Sequence, residues 1–90
     1  MQFEWDVEKA DANLKKHDVG FDEAQTVFDD PFFIDFYDDE HSADEHRFLI
    51  IGASNEERLL IVSYSERDDK IRIISARELT SQERKDYEQR

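Results

Sequence analysis

The chain has 90 residues, with no cysteine, one proline and two glycines. Without cysteine there is no disulfide framework, no thiolate nucleophile and no cysteine-ligated zinc site. Scarce proline and glycine leave little room for disorder. Seven Phe, three Tyr and one Trp supply buried area, although 40% of the residues are charged. No apolar run approaches the roughly 20 residues that span a bilayer. The opening Met1 to Asp6 has neither a basic region nor a signal core, so a cytoplasmic protein without membrane contact is expected. Also missing are a Gly-rich phosphate loop, a serine nucleophile motif and a dinucleotide fingerprint. No cofactor is expected, and residues 1–90 read as one domain.

Positive charge is the other scarcity, with 12 Lys and Arg against 24 Asp and Glu and a net charge of -12. The imbalance is local. From Glu66 to Arg90 seven basic residues face seven acidic ones, so the excess lies in residues 1–65. Between Asp22 and His46 stand ten carboxylates and no Lys or Arg. Such a stretch repels polyanions and attracts a basic partner.

The pattern predicts β-α-α-β-β-β-β-α, an α+β fold with an antiparallel meander covered on one face by helices. Phe3 to Trp5 reads as a short strand, and Asp6 as the N-cap of a helix to about Lys16. Val7, Ala10, Leu14 and His17 share one face of that helix. Phe21 to Phe28 forms a short helix stopped by Asp29-Asp30-Pro31. Strands follow over Pro31–Tyr37, Arg47–Ser54, Leu59–Ser65 and Ile71–Arg77. Thr80 with Glu83 opens a capped final helix that runs to the C-terminus.

The last strand and helix hold the chemistry-bearing residues. Alternation places Arg72, Ile74 and Ala76 on one face, and Ile73, Ser75 and Arg77 on the other. Only one of the two arginines is then free on the open face. Arg67 in the preceding hairpin could swing over it. As ordinary surface groups Arg72 and Arg77 would pair with Glu66, Glu78 or Asp86, and Arg67 would be a solvated turn residue. Tyr87 could donate to a phosphate, or only pack its ring. Lys9 and Lys16 lie two turns apart on the first helix. His17 ends that helix, as a proton carrier or as a cap. His41, Glu45 and His46 invite a metal reading, although a surface loop is the default.

Several strings, taken in order, resemble the BrnT family of toxins. They are Phe3-x-Trp5-Asp6-x-x-Lys9-Ala10-x-x-Asn13-x-x-Lys16-His17, then Val27-Phe28-x-Asp30-Pro31 and Asp39-x-His41-Ser42-x-x-Glu45-x-Arg47. Arg72-Ile73-Ile74-Ser75-Ala76-Arg77 and Thr80-x-x-Glu83-Arg84-x-x-Tyr87 complete them. The resemblance covers nearly the whole chain. It implies a RelE-like fold and an RNA-cleaving toxin that inhibits translation. It also implies a BrnA-like ribbon-helix-helix antitoxin, which reaches operator DNA and could join the toxin in a heterotetramer. Two departures stand out. RelE-like ribonucleases are generally basic, and Asp18 occupies a position that is often glycine.

The expected reaction is metal-independent attack by a ribose 2′-hydroxyl on the adjacent phosphorus. His17 or Glu66 would serve as base, and Lys9 or Tyr87 would assist the leaving oxygen. Arg72, Arg77 and Arg67 would hold the phosphorane from one shared hollow.

Overall fold

Asp6 starts the first helix by accepting hydrogen bonds from the backbone N–H of Glu8 (2.8 Å) and Lys9 (3.2 Å). This helix, α1, spans Val7–His17 and ends at Asp18, whose φ of 58° is left-handed. A computed structural model describes residues 1–89. Helix α2 (Phe21–Ala24) runs on into a 3-10 turn over Gln25–Asp29, one residue short of the Asp30-Pro31 pair. The strands are β1 (Gln2–Glu4), β2 (Ile34–Tyr37), β3 (Phe48–Ala53), β4 (Leu59–Arg67) and β5 (Lys70–Glu78). Helix α3 spans Ser81–Glu88 behind a complete Thr80–Glu83 capping box. Arg90, to which the sequence extends that helix, lies outside the described residues.

The element order agrees with the sequence reading, but the sheet is mixed. Its order is β1-β5-β4-β3-β2. Strands β2 to β5 form the expected antiparallel meander. Strand β1 pairs with β5 in parallel, over Gln2–Glu4 against Lys70–Arg72 only. A parallel neighbour needs a long crossover, and everything from α1 to β4 supplies it here. Among the described residues, the edge of β5 beyond Arg72 is left without a strand.

The faces of β5 also differ from simple alternation. Ser63 pairs with Ser75 but Tyr64 pairs with Ile73, so Ile74 is an extra residue in β5. This bulge reverses the alternation. Ile73 and Ala76 both turn inward, 2% and 1% exposed. Arg72, Ser75 and Arg77 share the opposite face, so the two arginines are not on opposite sides.

The core sits between the sheet and α1–α2, with Val19, Phe21, Val27, Leu60, Val62 and Ile73 at its centre. Edge-on aromatic pairs extend it, Phe3–Phe28 at 5.2 Å and Phe28–Tyr64 at 5.1 Å between ring centres. Helix α3 lies against the other face, where Glu83 meets Arg77. Helices therefore occupy both faces, and the sequence expectation of one covered face was too simple.

Helix α1 also turns differently from its apolar spacing. Val7 and Leu14 are 69% and 50% exposed, whereas Asn13 is buried at 7%. Asn13 Nδ2 donates to the carbonyls of Ala76 (2.8 Å) and Val19 (2.9 Å), and its Oδ1 accepts from Ala76 N–H (3.1 Å). The side-chain amide thus replaces the missing strand on the β5 edge and satisfies buried backbone groups there.

Candidate active site

A groove of about 720 Å³ lies on the sheet face that carries α3. Its floor includes Leu49, Ile61, Ser63 and Ser75. One wall carries His17, Arg77 and Glu83, and the other carries Asp38, His41 and Arg47. His17 reaches the groove because Asn13, one turn earlier, pins α1 to the bare edge of β5.

Arg77 holds Glu83 with two parallel bonds, Nη1 to Oε1 at 2.7 Å and Nη2 to Oε2 at 3.0 Å. Its Nη1 also donates to the Glu78 carbonyl at 3.1 Å. The Arg77 hydrogen bond, with the Thr80 backbone N–H, pulls Glu83 down to about 2. The same carboxylate raises Arg77. Of the five guanidinium donors, Nε–H and one N–H on Nη2 keep no partner among the described residues. The pair is electrically balanced, yet it fixes those two donors in a rigid fork.

Arg47 differs. Its nearest carboxylate oxygen, on Glu45, is 3.7 Å from Nε, and that Nε is buried without a hydrogen-bond partner among the described residues. On the same wall, His41 Nδ1 lies 2.9 Å from Asp38 Oδ2. Asp38 is 9% exposed. The loop that carries them is closed by Asp38 N–H to the Arg47 carbonyl (2.9 Å), Ser42 Oγ–H to the Asp38 carbonyl (2.5 Å) and Arg47 N–H to Ser42 Oγ (3.0 Å).

The family model described as the ribonuclease toxin BrnT of the type II toxin-antitoxin system matches residues 5–83. The chain belongs to the BrnT family. Its fold is similar to the 1.1 Å crystal structure of the Brucella abortus ribonuclease toxin BrnT, with a TM-score of 0.71 and 23% identity. That match covers 90% of this chain and 99% of the Brucella chain. No protein with a curated description matches the chain significantly. BrnT membership brings a ribonuclease toxin and an antitoxin partner at the level of the family.

Of the seven site residues read from the sequence, this BrnT fold brings His17 and Arg77 into the groove. The other five lie elsewhere. Arg72 shares a face with Arg77 but stands five residues away, roughly 15 Å along a strand. It is 3.7 Å from Glu4 on β1. Arg67 and Glu66 are exposed at the far hairpin, beside a separate depression. Lys9 is exposed on α1, and the Tyr87 hydroxyl donates to the Phe32 carbonyl at 3.3 Å. The expected convergence of three arginines does not occur.

The metal reading of His41, Glu45 and His46 also finds no support. His46 Nδ1 contacts the Tyr37 hydroxyl at 2.8 Å while His41 turns to Asp38. Among the described residues no three such ligands cluster. From the acidic stretch, Asp39 and Glu40 rim the same groove as Arg77, and Asp38 lines it with only 9% of its surface exposed. The sequence reading passed over Arg47 and Asn13 as functional residues. Both stand in the strings that resemble BrnT, and Arg47 is the first basic residue after the ten carboxylates.

Proposed function

We propose that the chain cleaves RNA in this groove by 2′-hydroxyl attack without a metal ion, and thereby inhibits translation. The observation that carries the proposal is the meeting of His17, from the end of α1, with Arg77, from β5, at one concavity. Arg77 presents its two spare donors to the non-bridging oxygens, where charge gathers in the transition state. His17 transfers a proton at the reacting oxygens. The ribose supplies its own nucleophile, so the products carry 2′,3′-cyclic phosphate and 5′-hydroxyl ends. Neither Arg67, Arg72, Glu66, Lys9 nor Tyr87 is needed at the reacting atoms. We read the fold as RelE-like and the protein as cytoplasmic.

The partner is a BrnA-like ribbon-helix-helix antitoxin that carries the toxin to operator DNA, in a heterotetramer. Asp39 and Glu40 on the groove rim offer its basic residues a counter-surface. Because that rim borders Arg77, a partner bound there also closes the groove to RNA.

The test is controlled expression with and without the neighbouring antitoxin frame, for wild type and Arg77→Ala. Wild type alone should arrest growth, whereas Arg77→Ala should not. In vitro, a substrate with hydrogen in place of the reactive 2′-hydroxyl should stay intact; its cleavage would reject the scheme. A second reading rests on the Glu83 carboxylate that neutralises Arg77. In it the chain is a silent subunit acting with its antitoxin in repression. A purified protein that spares RNA yet tightens its partner on operator DNA would establish that role.

A further inference from the structure

We infer that His41, oriented by Asp38, is a second catalytic histidine of the groove and the base that deprotonates the 2′-hydroxyl. This rests on the ribonuclease reading above and adds a residue that reading does not contain. At 2.9 Å the Asp38 carboxylate accepts from His41 Nδ1–H. The proton is thereby fixed on Nδ1, and the lone pair is left on Nε2. Asp38 is buried, whereas the His41 side chain is 62% exposed and lines the groove. A substrate can therefore reach the imidazole but not the carboxylate that holds it.

A chance surface pair would sit on a loose loop. This one does not, because the chain on either side of the pair is tied down by the Asp38–Arg47 and Ser42 hydrogen bonds. Such anchoring is what positions a proton acceptor for reaction. The charged groups around it are Asp39 and Glu40 on its own turn, then Asp44, Glu45 and Arg47 on the loop. His17, Arg77 and Glu83 face it across the groove.

Nε2 of His41 takes the 2′-hydroxyl proton as the O2′–P bond forms. The P–O5′ bond breaks, and O5′ receives a proton from the imidazolium of His17. The result is a cyclic phosphate and a 5′-hydroxyl, with one proton moved from His17 to His41 and both reset through water.

The experiment compares wild type, His41→Ala, Asp38→Asn and Arg77→Ala on a random-sequence RNA pool. Binding is measured separately with the 2′-deoxy counterpart of that pool. We expect His41→Ala to slow cleavage about a hundredfold. Its binding of the deoxy pool should stay within about threefold of wild type, because His41 acts on the reacting proton and not in the ground state. Added imidazole should restore part of the lost rate, which a merely structural residue would not allow. In Asp38→Asn, nitrogen NMR should show His41 losing its single Nδ1–H tautomer, together with a partial rate loss. Asp38 is thus a positioning residue. If His41→Ala cleaves like wild type while Arg77→Ala is dead, this inference falls and the groove reading stands. A wild type that cleaves nothing overturns both. A His41 already in mixed tautomers in wild type overturns the dyad alone.

Discussion

Two arginine–glutamate forks with the same chemistry stand at different places in this molecule. Arg58 grips Glu23 through Nε at 3.0 Å and through a second, shorter contact from Nη2. The carboxylate is mostly buried, and it also accepts from Ser54 Oγ at 2.6 Å. The Arg58 bond holds Glu23 below the usual carboxylate range. Arg58 Nη2 further reaches the Asp18 carbonyl at the end of α1 (3.0 Å). This fork ties α1, α2 and β4 together around the core. Arg77–Glu83, by contrast, borders the groove with both side chains about one-third exposed. Bond geometry alone does not separate a structural clamp from a site residue. What separates them is whether a concavity and another reactive group lie beside the fork.

Removing each arginine in turn should separate the two forks most clearly. Arg77→Ala should lower RNA cleavage by about a hundredfold or more, the size of a lost oxyanion donor. Its unfolding free energy should fall by only about 1 kcal/mol, as for a half-exposed pair. Cleavage assays beside urea unfolding read both quantities. Arg58→Ala should do the reverse. It strands a buried carboxylate and should cost about 3 kcal/mol of stability, with cleavage per folded molecule within about twofold of wild type.

A smaller effect sharpens the contrast through pH. Glu83 is depressed from 4.5 to about 2 in the folded protein, first by the Arg77 bond. A depressed carboxylate stabilises fully above its unfolded value, and that stabilisation disappears as pH falls from about 4.5 towards about 2. After allowance for solvent screening the loss is about 1 kcal/mol. Acid unfolding of Glu83→Gln should lack this part of the curve. An unchanged curve would mean that the fork contributes nothing. Smallest of all, Arg67→Ala and Arg72→Ala should each change stability by less than about 0.5 kcal/mol. Cleavage in both should stay near wild type, since neither lines the groove; a hundredfold loss in either would move the active site to the far end of β5.

Much of this was legible in the residues. Asp6 and the Thr80–Glu83 pair mark their helix starts because capping is a local matter. The meander follows from alternating apolar residues and short turns. Asp68 and Asp69, with φ of 50° and 65°, make the tight hairpin foreseen at Arg67–Lys70. The face of Arg72 was not legible, since an extra residue at Ile74 depends on which strand opposes it. Nor was the inward turn of Asn13, because a polar residue on an amphipathic helix normally faces water. Its burial answers an unpaired strand edge that exists only once β1 has stopped at Glu4.

The elements, their order, the family and the candidacy of His17 and Arg77 could all be read from the residues alone. These rest on local backbone preferences and on residue patterns read along the chain. It took the folded chain to show that β1 runs parallel to β5, that both arginines of β5 share a face, and that His41 and Arg47 look across at His17. The parallel pair joins strands far apart in sequence, and the shared face comes from one extra residue in the β4–β5 hairpin, which reverses every side chain beyond it.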